Sequence, residues 1–146
     1  MKQQRVWTIK ETTPNSAGTV ASKELGGLDR FGYLMIDAKL AGPANGTLDV
    51  YLQRKIIEED GTAHWVDWVH FATVTAGAAA AWFTLTPTAS SGIVSIGAET
   101  SPALAANAVV GGHPGSHVRA VWKSGAGTTA GAEQMIQITG IGSMIE

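Results

Sequence analysis

The chain has 146 residues, the size of one domain with a substantial core. Its net charge is −2, only 15% of its residues are charged, and it has no cysteine. These values argue against nucleic-acid binding and exclude disulfides and thiolate metal sites. Because no apolar run approaches the roughly 20 residues of a membrane span, and no export signal is visible, we expect a soluble chain without membrane contact.

Residues 1–25 are predicted to form an N-terminal arm or loop. A short β-like segment is followed by turn residues with few large side chains. Trp7, flanked by Lys2, Arg5 and Lys10, would make the arm a docking element for an acidic, grooved partner. The alternative is a first edge strand with Trp7 in the core.

Residues 26–146 are predicted to form a single domain that begins with a strand over residues 31–40. In this strand, apolar and polar residues alternate with the period of two that a half-buried strand requires. Asn45-Gly46 is then read as a turn into the next strand. The positions expected on the buried face are Leu34, Ile36, Ala38 and Leu40.

A long hairpin over residues 47–71 follows, with a turn at residues 58–61. Leu48, Val50, Leu52 and Ile56 share one face of its first strand. Trp65 and Trp68 differ in parity, so one should be buried and the other exposed, unless a bulge intervenes. An exposed Trp68 beside the outward Tyr51 would form an aromatic face for a sugar or a protein. The alternative is that these aromatic residues fill the core.

The C-terminal half continues with short strands. They are predicted at residues 81–86, 92–97, 116–123 and 132–141, while residues 102–110 are either a helical turn or a loop. Val118, Ala120 and Trp122 are expected on one face. About seven or eight strands without a long helix predict an all-β fold, an antiparallel β-sandwich or jelly roll with an extended N-terminal arm.

The four histidines do not form a metal site in this scheme. His64 and His70 would lie roughly 20 Å apart along one strand. Pro114 excludes the helix that a zinc-binding pair of His113 and His117 would need. We therefore expect no metal and no cofactor.

A catalytic pair is not expected either. Ser116 and His117 are neighbours on a predicted strand, so their side chains should point to opposite faces. No other nucleophile, triad or phosphate-binding loop is recognisable. We therefore expect that the protein is not an enzyme.

The hairpin resembles a pattern found in small virion proteins of tailed bacteriophages. The matching residues are LDVYLQ at 48–53, Asp60-Gly61, and the W-x-D-W-x-x-F run at 65–71. The Ala/Gly/Thr-rich composition without cysteine and the alternating last strand are similar in style. A strand-Asp-Gly-strand-Trp hairpin also occurs in carbohydrate-binding sandwiches.

The resemblance implies a head decoration, or cement, protein. Such proteins are β-sandwich modules that bind between major capsid proteins on the capsid exterior after shell expansion, commonly as trimers. Their N-terminal arm often contacts the capsid lattice. The chain would then be a virion protein, present in the host cytoplasm during assembly. A carbohydrate-binding module and a tail or fibre accessory protein are the alternatives.

Overall fold

A computed structural model of the chain describes residues 3–12, 17–71, 73–87, 97, 102–129 and 133–142. Over these residues the chain forms β-strands and one short 3-10 turn, Leu28–Arg30, and no α-helix. The strands form two antiparallel sheets, which confirms the predicted all-β sandwich. In chain order the strands are β1 Gln3–Thr12, β2 Gly18–Ala21, β3 Leu25–Gly26, β4 Tyr33–Leu40, β5 Thr47–Ile57, β6 Ala63–His70, β7 Val74–Thr75, β8 Ala81–Leu85, β9 Ala108–Val109, β10 His117–Ser124 and β11 Glu133–Gly142.

We call the first sheet sheet A; its strand order is β1-β11-β4-β8. The second, sheet B, has the order β2-β10-β5-β6-β9, with β3 also paired to β10 and β7 to β5. The predicted hairpin is confirmed as β5 and β6. Its turn is closed by a hydrogen bond from the Glu58 N–H to the Thr62 carbonyl at 2.8 Å. Gly61 takes a φ of +91°, which a glycine adopts without strain.

The core lies between the two sheets and contains the side chains that strand alternation predicts to be inward. One predicted core residue, Ile56, is instead exposed, because it lies near the far end of the hairpin. The confirmed inward positions are Leu34, Ile36, Ala38 and Leu40 of β4, Leu48, Val50 and Leu52 of β5, and Val118, Ala120 and Trp122 of β10.

The N-terminal segment is not the free arm that was predicted. Residues 3–12 form an edge strand of sheet A that pairs with β11 along its whole length. Trp7 is only 6% exposed, packs edge-on against Phe31 at 5.6 Å, and donates its indole N–H to the Gly26 carbonyl at 3.0 Å. The alternative of an edge strand with Trp7 in the core is therefore the one observed.

A β-bulge in β6 resolves the parity of the two tryptophans. Leu52 lies opposite Val69, but its neighbour Gln53 lies opposite Asp67, so Trp68 is the extra residue. Both Trp68 and Val69 are in the core as a result. Trp65 stays on the outer face of sheet B, where the Arg119 guanidinium lies 4.7 Å from its ring centre.

The stretch from residue 102 to residue 110 is not helical. It runs without regular structure to a turn and then forms the two-residue strand β9. Of the strand predicted at 92–97, residues 92–96 lie outside the described residues, and Gly97 is not in a strand. The strands predicted at 81–86 and 132–141 are confirmed as β8 and β11.

Candidate interaction surface

The aromatic face predicted at Tyr51 and Trp68 does not exist on the surface. Tyr51 is 4% exposed and Trp68 is 1% exposed. Trp68 is turned inward by the bulge, and its indole N–H donates to the Gly112 carbonyl at 3.3 Å. Tyr51 does lie on the outer face of sheet B, but Leu104 covers it there. The prediction of an exposed Tyr51–Trp68 face is therefore wrong.

Residues 102–110, which we call the covering segment, lie over Tyr51 on the outer face of sheet B. The carboxylate of Asp67 holds this segment. This fully buried carboxylate accepts backbone N–H bonds from Gly97, Ala103 and Leu104 at 3.0, 2.8 and 2.9 Å, all on one oxygen. Its other oxygen accepts a bond from the Gln53 amide at 3.1 Å. Because a buried charge is tolerated only when it is hydrogen-bonded, Asp67 fixes the covering segment to the sheet.

His70 forms a second attachment of the same segment. Its Nδ1 lies 2.7 Å from the Leu104 carbonyl, and its Nε2 lies 3.1 Å from an Asp49 carboxylate oxygen. Both partners only accept hydrogen bonds, so both bonds form together only when each ring nitrogen carries a proton. The His70 ring also stacks on Tyr51, with centres 3.9 Å apart.

The environment of Tyr51 also disfavours its ionised form. Burial, and then the negative charges of Asp49 and Asp67, raise the pKa of Tyr51 to about 12. Negative charge is thus concentrated beneath the covering segment. Around Tyr51 this side of sheet B is closed and hydrogen-bonded, so the described residues leave Tyr51 and Trp68 without an exposed aromatic surface.

The histidines do not converge on a metal site within the described part of the chain. No group of three or more His, Asp or Glu side chains is placed there to hold a metal ion. His64 lies 3.4 Å from a Glu58 carboxylate oxygen at the hairpin turn, and the His113 Nε2 lies 2.8 Å from the Phe31 carbonyl.

Among the described residues, no helix has the length and apolar character of a membrane span.

Ser116 and His117 do contact each other, contrary to the prediction that they point apart. Ser116 lies in a bend just before β10, so strand alternation does not apply to it. Its Oγ is 2.6 Å from Nδ1 of His117, whose Nε2 is 3.6 Å from a carboxylate oxygen of Glu24. The same Glu24 oxygen binds Lys55 at 2.9 Å. The acid thus already pairs with a lysine and is beyond hydrogen-bond distance of the imidazole.

The larger of the two clefts that we describe has a volume of about 180 Å³ and opens between β8 and β9. Phe71, Phe83 and Val109 supply apolar walls, and Asn107 is among the polar lining residues. Small-molecule sites usually enclose roughly 300–1,000 Å³. The second cleft, of about 60 Å³, lies beside His113. Neither cleft is lined by Ser116 or His117.

The outer face of sheet A is different, because large apolar side chains remain exposed on it. Trp82 of β8 is 61% exposed, Val6 of β1 is 45% exposed and Tyr33 of β4 is 44% exposed. The strand registers join these positions into one surface across all four strands. We call it the sheet A outer face; its further members are Thr8, Lys10, Met35, Asp37, Lys39, Thr84, Met135, Gln137 and Ile141.

The face carries three charged side chains, two lysines and one aspartate. Lys10 and Lys39 flank Met135 in one cross-strand row, and Asp37 lies in the neighbouring row. The Lys39 ammonium lies 5.8 Å from the ring centre of Trp82, a cation–π contact that orients the indole. A surface with exposed aromatic residues and few charges has the composition of the centre of a protein–protein interface.

The predicted arm residues fall at different places. Lys2 lies outside the described residues. Arg5 is exposed and lies over the Trp7 ring at 5.0 Å, while Trp7 itself is buried and cannot serve as a docking anchor. Lys10 alone among them belongs to the sheet A outer face.

Sequence reasoning did not single out Trp82, Tyr33 or Val6. A signal was present for Trp82: Phe83 and Leu85 share one parity in β8, so two large apolar side chains on the same side favour that side as buried. This leaves Trp82 facing outward. For Tyr33 the same argument holds, because the alternate residues of β4 are apolar.

Comparisons with known proteins do not place the chain in a family. No protein-family model matches it, and no curated protein matches it. Among solved structures, the chain is similar to a chain in the structure of infectious bursal disease virus, Gt strain, with 12% identity and a TM-score of 0.33. The match covers 96% of this chain but 32% of that chain, so this protein spans about a third of its length.

Proposed function

We propose that this chain is a non-catalytic virion protein that decorates the exterior of a capsid shell by binding the major capsid protein through the sheet A outer face. The observation that carries the proposal is the exposure of Trp82, Tyr33 and Val6 on one weakly charged face. The hairpin's resemblance to tailed-bacteriophage virion proteins supplies the class of partner.

A protein partner suits this face better than a sugar does. Tyr33 lies six residues from Lys39 on β4, and Trp82 lies opposite Lys39, so the two aromatic side chains are separated by roughly 20 Å. They are too far apart to form one stacking platform for a sugar ring. They are well spaced as two anchors within a larger protein interface.

Binding would be adhesive. If the complementary binding site on the major capsid protein exists only in the expanded shell, each bound copy stabilises the expanded state by mass action. No step of this function requires a reaction at Ser116 or a bound cofactor. The edge strand β1 contributes Lys10 to the contact, in place of the reaching arm that the resemblance implies.

Co-sedimentation with expanded empty capsids of a tailed bacteriophage that encodes the chain tests the proposal. We expect the native chain to pellet with shells, and Trp82→Ala to weaken binding at least about tenfold, as loss of an aromatic anchor does. Ile57→Ala is the matched control, because Ile57 is also exposed but lies at the hairpin end of sheet B.

A parallel sedimentation with insoluble glycans distinguishes the carbohydrate-binding alternative from capsid decoration. Retention on glycans without retention on shells would refute the decoration proposal and identify the Trp82 region as a sugar-binding site. Equal shell binding by the Trp82→Ala and native chains would show that another surface makes the contact. Circular dichroism should confirm that both variants are folded, since exposed substitutions usually change stability by less than about 0.5 kcal/mol.

A further inference from the structure

β1 presents a long sheet edge with no strand paired to it among the described residues. One side of β1 is bonded to β11 over all ten residues, and sheet A ends there. Among the described residues the other sheet edges are shorter: β8 has five residues and is soon followed by Pro87, β2 has four residues, and β3, β7 and β9 have two each. The eight-residue strand β6 is covered by β9 at Val69 and His70. An open edge of this length is a template for pairing with another strand.

We propose that two copies of the chain associate by antiparallel pairing of their β1 strands around a two-fold axis at Thr8. The two copies of sheet A would then form one continuous sheet. Side chains directly opposite in an antiparallel pair point to the same face, so paired residues must have the same parity. When the two-fold axis passes through a residue position, each residue lies opposite one of the same parity, and the condition is met. When the axis passes between two residues, opposed residues differ in parity, and the condition fails.

Charge decides which residue the axis passes through. With the axis at Thr8, Arg5 of each copy lies opposite Glu11 of the other, so two reciprocal ion pairs form. Trp7 then lies opposite Ile9, which continues the inward apolar row. Arg5 and Glu11 are both exposed in one copy. Because they are six residues apart on one strand, roughly 20 Å, they can meet only between copies.

The neighbouring registers lose this complementarity. Moving the axis to Trp7 places Arg5 opposite Ile9. Moving it to Ile9 places Glu11 opposite Trp7 and leaves Arg5 beyond the paired stretch. Each shift therefore loses both attractive pairs and places one charged side chain of each copy opposite an apolar one, so the register centred on Thr8 is favoured.

The edge of sheet B that lies next to β1 adds apolar surface to the proposed dimer contact. The bond from Trp7 to Gly26 places β1 above β3, which shares an edge of β10 with β2. Val20 of β2 is exposed at this edge. A second copy paired along β1 would lie beside Val20, and the edge of the sandwich would gain contacts in both layers.

Charge exchange tests the pairing on the purified full chain without any shell present. We expect sedimentation equilibrium to give twice the chain mass. Arg5→Glu alone and Glu11→Arg alone should each raise the dimer dissociation constant by about tenfold, because each places like charges opposite one another at both ends of the pair. The double exchange, Arg5→Glu with Glu11→Arg, should restore dimerisation, which mere damage to the fold would not do.

A cysteine cross-link tests the register. The chain has no cysteine, so Thr8→Cys introduces a single thiol at the axis, within reach of its counterpart. Mild oxidation should give a covalent dimer, whereas Lys10→Cys, on the same strand and face, should not. A chain that stays monomeric to about 100 μM, a trimer, single exchanges without effect, or equal cross-linking by both cysteine variants would overturn the proposal. These outcomes are independent of whether the sheet A outer face binds capsids.

Discussion

Asp67 is the residue on which the outer side of sheet B most depends. Replacing Asp67 by Asn puts an N–H₂ group where one oxygen now accepts bonds, so it must face either three backbone N–H groups or the Gln53 amide. We expect the free energy of unfolding to fall by about 2–4 kcal/mol. Urea denaturation measures this change, and Asp29→Asn, at an exposed position of the 3-10 turn, is the control. A loss no larger than that of the control would show that Asp67 does not hold the covering segment.

The raised pKa of Tyr51 predicts how the free energy of unfolding responds to alkaline pH. The pKa of Tyr51 is raised from 10 to about 12, so the folded chain holds the phenolic proton more tightly than the unfolded chain does. The resulting stabilisation is fully present below pH 10 and is lost as the pH rises towards about 12. We expect the free energy of unfolding to fall more steeply over that range in the native chain than in Tyr51→Phe. Denaturation curves at successive pH values measure both slopes, and parallel slopes would contradict the assignment.

At the scale of the element, β1 is the strand whose role changes most between expectation and structure. Trp7→Ala removes a buried indole that packs on Phe31 and binds Gly26, so we expect a loss of about 3–5 kcal/mol. Val6→Ala, the exposed neighbour on the other face, should change stability by less than about 0.5 kcal/mol. Thermal and urea unfolding of the two variants measure the contrast. A free arm would instead leave stability unchanged in both.

Alternation along single strands was sufficient to predict β4, β5, β6 and β10 and most of their inward side chains, because the period of two is a local property of the backbone. It could not predict the burial of Tyr51, which depends on a segment some fifty residues away folding over the outer face. Trp68 was missed for a different reason: a bulge shifts the parity within β6. Ser116 was misjudged because the strand begins one residue later.

The candidate site was harder to predict than the fold, because exposure depends on contacts between distant parts of the chain. An alternating strand shows which residues share a face, but the exposure of that face is decided by what packs on it. Sheet B is covered on its outer side by the segment held at Asp67, whereas Trp82, Tyr33 and Val6 remain exposed on sheet A. The aromatic surface therefore lies on the sheet opposite to the one predicted.

At the scale of the whole molecule, the two proposals combine into a prediction about avidity. Pairing through β1 would place two sheet A outer faces side by side on one continuous sheet, so a dimer could contact two capsid sites at once. The second contact is then intramolecular, and the apparent affinity for shells exceeds that of one face by about 10²-fold or more where the geometry allows both. We expect Arg5→Glu to weaken shell binding by up to about tenfold, the factor by which it weakens the dimer, although Arg5 is not a member of the outer face.

The double charge exchange separates this effect from a direct contact. If Arg5 acts only through dimerisation, the combination of Arg5→Glu with Glu11→Arg should restore shell binding along with the dimer, while Trp82→Ala should stay weak in either background. Co-sedimentation titrations of the four proteins, run beside sedimentation equilibrium without shells, measure both quantities. Tight shell binding by a monomeric Arg5→Glu chain would show that one face is sufficient, and that pairing through β1 has no part in docking.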